Sequence, residues 1–455
     1  MRSHTRFCVC VLAAATAFAM GARAETPFVY AVRNARLVTA AGAPLATGTI
    51  VIRNGVIDAV GANVQAPPEA QIIDGTGMTV YPGLIDMGNP TGINIPADAQ
   101  PQGGFRTTED QERFKHDQIF RPDLMAADHL APDAAELSRL VASGVTSVLS
   151  VPPGSLVRGQ SALVNVAGGV DDPQIGAVAD QRKGRQVVRT PVALHISPNA
   201  SAGRGGYPVS LIGNIAFIRQ HFLDAQHQQL ARQHYERAKN GGERPTYDPA
   251  LDALQPAMAR RLPVVFEAEQ SREILRALKM AKEFNLDPVI TGAAEADQVT
   301  DALKASNARV IYGVNYPTRS RALPPDADEP VRTLRARANA PKVPAALEKA
   351  GVLFAFTSDG VREPRDFVRN VARAVKEGLA PDAAIRALTI NAARIAGADA
   401  RIGSLERGKV ANLIVTDGDL FEDRTRVRHA FVDGRPVDIE EAPAAPTGRG
   451  RGRGN

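Results

Sequence analysis

The feature that most limits what this chain can fold into is a change of hydrophobic period along it. From Pro82 to about Gly397, short apolar runs alternate with stretches whose apolar residues recur every three or four positions. Gly144-Val-Thr-Ser-Val-Leu-Ser-Val151, Pro263-Val-Val-Phe266, Pro288-Val-Ile-Thr291, Arg309-Val-Ile-Tyr312 and Val352-Leu-Phe-Ala-Phe356 read as buried strands. Ala135 to Ala142, Ser271 to Phe284, Ala294 to Ala305 and Val343 to Ala350 read as helices. Strand then helix, repeated, is the pattern of parallel βα units, and this span predicts an α/β fold built on a (β/α)8 TIM barrel.

The two ends lack the helical period. Phe28 to Val38, Thr49 to Arg53 and Val56 to Val60 are strand-like, and Asn54-Gly55 supplies the two positive-φ positions of a tight hairpin. Lys409 to Asp417 and His429 to Val437 are strand-like again. Sheets this small cannot each bury a face alone. The expectation is therefore a small split β-sandwich, formed by residues 25–81 and 398–438 around a barrel of residues 82–397. Two segments read as insertions that lid the barrel mouth, Asn94 to Pro132 and Pro198 to Arg261, the second with a His- and Gln-rich helix.

Residues 1–24 read as a cleaved signal peptide: Arg2 and Arg6, an apolar run from Phe7 to Met20, and small residues around Ala24. The run is too short for a stable membrane anchor, so a periplasmic or secreted protein is expected. Both cysteines, Cys8 and Cys10, lie in that segment. Disulfides, thiolate ligands and cysteine nucleophiles are thereby excluded from residues 25–455. The formal charge of +5 falls to +2 without the three arginines of the leader. It falls to −1 without Arg449, Arg451 and Arg453 of a Gly/Arg tail, residues 439–455, read as disordered. A nearly neutral body without tryptophan gives no reason to expect a nucleic-acid partner.

Several stretches resemble the amidohydrolase superfamily. Pro82-Gly-Leu-Ile-Asp86 resembles the entry into its catalytic barrel, Gly378 to Gly397 its last barrel helices, and Gly403 to Val415 its return to the sandwich, with Asn412 where aspartate is usual. Gly144 to Val148, Gly159-Gln160 and Pro263 to Ile274 are most similar to the imidazolonepropionase-related branch of exported hydrolases. The resemblance implies hydrolysis of carbon–nitrogen bonds other than peptide bonds, and a divalent, zinc-like metal held by histidines. Gly88 and Pro90 stand where it has the first two, Glu267 and Glu269 where it has one and often a second, and Gly292 where it has another. Asp359, in Phe356-Thr-Ser-Asp-Gly360, matches its aspartate, a metal ligand and proton shuttle.

Without imidazole donors, no cofactor is expected. The candidate catalytic residues are Asp359, Glu267 and Glu269. They read either as a remnant held by arginine or lysine, or as a rebuilt acid/base site in which neighbouring carboxylates raise one another's pKa. An all-oxygen site for Mg²⁺ or Ca²⁺ remains open. The first reading implies a degenerate protein that takes a small molecule at the barrel mouth or forms a hetero-oligomer with an active relative. A purely structural protein is the third alternative. Glu295 reads as a helix-start cap. His195 reads as a satisfied strand histidine, and His116, His129, His221, His227 and His234 as solvated. Gly203-Arg-Gly-Gly206 reads as a flexible lid segment.

Overall fold

The computed structural model describes residues 28–96, 104–131, 133–166, 187–201, 207–238, 244–320, 322–324 and 326–439. The expected signal peptide, the expected Gly/Arg tail beyond residue 439, and Gly203 to Gly206 lie outside the described residues. Among the described residues, no helix is long and apolar enough to cross a membrane.

The N-terminal strands are β1 (Val29–Leu37), β2 (Leu45–Arg53), β3 (Val56–Gly61), β4 (Gln71–Asp74) and β5 (Thr79–Pro82). β2 and β3 form the hairpin that Asn54-Gly55 predicts, with φ of 51° and 84° at those two residues. β5 then runs on through Gly83 into β6 (Leu84–Asn89). A Cβ at Gly83 would lie 2.0 Å from Thr146 Oγ1, so only glycine lets the chain pass this close.

Past β6 come β7 (Val145–Ser150), β8 (Val157–Gln160), β9 (Ala162–Asn165), β10 (Val187–Arg189), β11 (Leu194–Ile196), β12 (Val264–Ala268), β13 (Pro288–Gly292), β14 (Arg309–Gly313) and β15 (Phe354–Thr357). The chain returns through β16 (Leu413–Thr416), β17 (Val427–Val432) and β18 (Arg435–Val437). β16 pairs antiparallel with β5, so the two ends of the chain share one eight-stranded sheet. The strands of the expected split sandwich are thus joined in a single hydrogen-bonded sheet. It encloses its own core of Val32, Leu37, Ile52, Ile57, Leu413 and Phe431.

The larger unit is mixed α/β. β11 to β15 are parallel neighbours in sequence order, and β6 pairs parallel with β7. The all-parallel expectation needs one correction. β8 and β9, nearly continuous about Ser161, run antiparallel to β11 on one side and to β7 on the other. Only six residues separate β7 from β8, whereas a parallel crossover needs about a dozen or more, so the chain must reverse. The edges β15 and β6 also meet, through Thr357 Oγ1 donating to the Gly88 carbonyl at 2.5 Å.

Alternate strand residues divide between two cores. Ile85, Leu149, Val265, Val289, Ile311 and Ala355 cluster together, while Val264, Phe266, Val310 and Phe354 pack toward the helices. The helix expected from Ala294 to Ala305 is broken into a 3-10 turn, Ala296–Gln298, and a helix, Thr300–Ala305. Each proposed insertion carries a helix, Thr108–Ile119 and Leu211–Ala238.

Candidate functional site

Parallel strands deliver their last residues to one rim, and the predicted candidates lie there. Asp86, near the end of β6, is fully buried. Its Oδ1 accepts from the Ser358 backbone N–H at 2.9 Å, and its Oδ2 accepts from the Asn89 amide at 2.6 Å and from the Ser358 hydroxyl. Burial pushes this carboxyl above its usual range, against the pull of the Ser358 and Asn89 hydrogen bonds.

Glu267 and Glu269, two residues apart, turn to opposite neighbours. Glu267 Oε2 accepts from the Ser197 hydroxyl at 2.6 Å and lies 3.4 Å from Arg158 Nη1. Glu269 reaches over β13 instead, where its Oε2 accepts from the Ala294 N–H at 3.2 Å. It occupies the space a side chain at Gly292 would need, since a Cβ there would lie 2.4 Å from Glu269 Oε1. Burial pushes the Glu269 carboxyl up, and the charges of Glu267, Glu273 and Asp359 add to that push.

Asp359 follows β15, its N–H donating to Thr357 Oγ1 at 3.1 Å. Burial pushes its carboxyl up, Arg158 pulls it back and Glu267 adds to the rise. Arg158 therefore stands electrostatically between Glu267 and Asp359. Its Nε donates to the Pro152 carbonyl at 3.0 Å, which holds the guanidinium in place. A shallow depression of about 260 Å³, open space included, lies beside Glu267 between Pro198, Asn199 and Arg276.

The remaining candidates divide. His195 is buried with Nε2 2.8 Å from Ser161 Oγ, and burial lowers its pKa to about 3, so it is a neutral structural histidine. Glu295 caps a helix, though not its own: its Oε2 accepts from the backbone N–H and hydroxyl of Ser271, the first residue of Ser271–Glu283. His227 and His234 are exposed, as expected, and His129 is half-buried in a 3-10 turn. His116 and His221 are not simply solvated but contact each other. Sequence reasoning missed Arg158, because no strand is predicted where β8 lies. It also passed over Asp86, whose only signal is a carboxylate closing an apolar run.

The side chains at this rim do not fit the divalent metal the resemblance implies. Gly88 and Gly292 offer no donor, and their φ values of 144° and 86° are ones that other residues rarely adopt. Both Asp86 oxygens accept hydrogen bonds, and a guanidinium already lies against Glu267. Among the described residues, no three His, Cys, Asp or Glu side chains converge as a metal site.

Residues 240–437 match the family model described as Amidohydrolase family, a family that typically uses a divalent metal. No curated protein matches the chain. Of solved structures, an amidohydrolase from Thermotoga maritima MSB8 is similar with a TM-score of 0.72 and 25% identity, over 90% of this chain and 99% of that one. A putative prolidase from Bifidobacterium longum has a TM-score of 0.53 at 18% identity, over 90% and 94% of the two chains. A molinate hydrolase has 0.52 at 17%, over 92% and 96%. These last two share the fold alone. The chain is thus a mixed α/β protein with the fold of a solved amidohydrolase, and its residues 240–437 are similar to the amidohydrolase family.

Proposed function

We propose that this is an exported, amidohydrolase-like protein of the imidazolonepropionase-related branch, with a closed (β/α)8-type barrel whose hydrolytic site has become a binding site for a small molecule. The observation that carries this reading is Arg158. A fixed guanidinium lies 3.4 Å from Glu267 and is felt by Asp359, so the positive charge a metal would bring to these carboxylates is supplied by the chain itself. An arginine is not a Lewis acid and generates no hydroxide, so the activated water that amide hydrolysis needs near neutral pH has no source here. Glycines at 88 and 292 in positive-φ conformations support the same reading, because histidines there would be strained. Such a protein would act by holding its ligand or by pairing with an active relative in a hetero-oligomer.

One observation favours a second reading, an active carbon–nitrogen hydrolase. Asp359 and Glu269 are both pushed upward, as a general acid or base requires. A single experiment separates the two. Mature protein and Asp359→Asn are assayed on cyclic amides, lactams and dipeptides with and without Zn²⁺, Mn²⁺ and Co²⁺, while binding of the same compounds is followed by thermal shift. Binding without turnover is expected. Turnover that disappears in Asp359→Asn overturns the proposal in favour of the second reading.

A further inference from the structure

Two histidines from separate insertions point their Nε2 atoms at each other, 2.9 Å apart. His116 lies on helix Thr108–Ile119 and His221 on helix Leu211–Ala238. The Nδ1 of His221 is 2.8 Å from the Phe217 carbonyl, which can only accept, so Nδ1 carries the proton and Nε2 a lone pair. The Nδ1 of His116 is 3.3 Å from Asp117 Oδ1, again an acceptor. His116 then takes one of two forms: with its proton on Nε2 it donates to His221, and with its proton on Nδ1, toward Asp117, two lone pairs face each other and a cation between them relieves the repulsion. An imidazole whose Nδ1–H is held by a carbonyl or carboxylate while Nε2 points outward is oriented as a metal ligand is.

We propose that His116 and His221 form a two-imidazole site for a divalent transition metal ion of the zinc, nickel or copper type, which clasps the two inserted helices together. Bonds of about 2.0–2.1 Å at a tetrahedral angle place two nitrogens about 3.3 Å apart, so the rings need separate by only about 0.4 Å. Ring contacts hold His221 in its orientation, with the Phe120 centroid at 3.9 Å and the Phe217 centroid at 4.2 Å. An ion can reach the pair, since the His116 side chain is 43% exposed. Nitrogen donors select transition ions over Mg²⁺ and Ca²⁺. Among the described residues no third His, Cys, Asp or Glu joins the pair, so water completes the coordination and binding is weaker than at a closed four-ligand site. The Lys115 ammonium, which donates to the Pro208 carbonyl at 3.3 Å, adds a second tie between the same two segments.

The test uses Ni²⁺ and Cu²⁺ as probes on the mature protein at pH 7.5, by calorimetry and by electron spin resonance of the copper form. Expected are one ion per chain, nitrogen coordination, and a loss of affinity of at least tenfold in His116→Gln and in His221→Gln. His227→Gln and His234→Gln, at exposed histidines of the same helix, should bind as wild type does. Absence of binding would leave a proton alone between the rings, binding retained by the double variant His116→Gln/His221→Gln would place the ion elsewhere, and either overturns the proposal. Should the glutamine variants misfold, protection of wild-type histidines from diethylpyrocarbonate replaces them. Protection of His116 and His221 by Ni²⁺ supports the site, and its absence overturns it.

Discussion

Ser358 grips Asp86 twice, its backbone N–H and its hydroxyl each donating to one carboxylate oxygen, so the residue after β15 is fastened to the end of β6. The fastening ties the ends of these two strands together. Ser358→Ala leaves the second oxygen of Asp86 to Asn89 alone and should cost about 1.5–3 kcal/mol, the range for a hydrogen bond to a charged group. The pH dependence follows from the raised pKa of Asp86. The folded state holds this proton to higher pH than the unfolded chain does, so stability falls as pH rises above the ordinary carboxylate range. Asp86→Asn should flatten that decline in urea unfolding between pH 4 and 7. An unchanged slope would mean that Asp86 is ionised at no cost.

Gly292 tests whether the end of β13 can take a side chain where the resemblance has a histidine. Its φ of 86° and the 2.4 Å approach a Cβ would make to Glu269 Oε1 predict that Gly292→Ala destabilises by about 1–3 kcal/mol. Glu269→Ala in the same chain should recover the steric part and leave the backbone part. Gly292→His should not gain zinc in a metal analysis. If it did, the strand end would still be shaped for a ligand.

His195 gives an opposite pH signature. Its pKa is lowered from 6.5 to about 3, so below pH 6.5 the unfolded chain takes a proton that the folded one refuses. Stability is therefore lost as pH falls from about 6.5 toward 3. His195→Gln, which keeps a polar partner for Ser161, should lose less between pH 6.5 and 4 than wild type does in denaturant midpoint. Parallel losses in the two proteins would place His195 in a more polar setting than the one described.

The elements were legible where period alone decides them, and the site was not. Val264 to Phe266 and Val310 to Tyr312 declare themselves because successive side chains enter two different apolar cores. β8 does not, since its four residues include Arg158 and Gly159 and its partners lie far along the chain. Glu267 and Glu269 were legible as a pair but not in direction. Their hydrogen-bond partners, Ser197 and Ala294, come from different loops, and no spacing within the strand encodes that choice. The contact of His116 with His221 spans 105 positions and leaves no local trace.

Asn412 is another position where one atom decides. Its amide donates to Asn165 Oδ1 at 2.8 Å while its own Oδ1 accepts from the Asp433 N–H at 2.8 Å, and it is buried between the two sheets' elements. Asn412→Asp puts a carboxylate oxygen against the Asn165 oxygen and should cost about 1–3 kcal/mol at pH 7 in urea unfolding. A neutral effect would show that Asn165 turns its amide around, although that amide already donates to Asp433 at 2.6 Å.

Arg158 carries the functional argument, and its removal should show whether it replaces a cation. Its contact with Glu267 is long at 3.4 Å, and the Glu267 side chain is 49% exposed, so the pair alone contributes about 1 kcal/mol or less. The larger consequence lies at Asp359, whose carboxyl Arg158 holds down against burial and against Glu267. In Arg158→Met that restraint is gone and the folded-state pKa of Asp359 climbs further above its ordinary value. An acid whose folded pKa is raised makes the fold less stable as pH rises through the window between the two values. The destabilisation caused by Arg158→Met should therefore be greater at pH 8 than at pH 5 in urea unfolding. Glu267→Gln in the same chain should return part of it, because the repulsion on Asp359 falls. A destabilisation independent of pH would mean that Arg158 only packs at the rim, and the view of it as the chain's own counter-charge would fail.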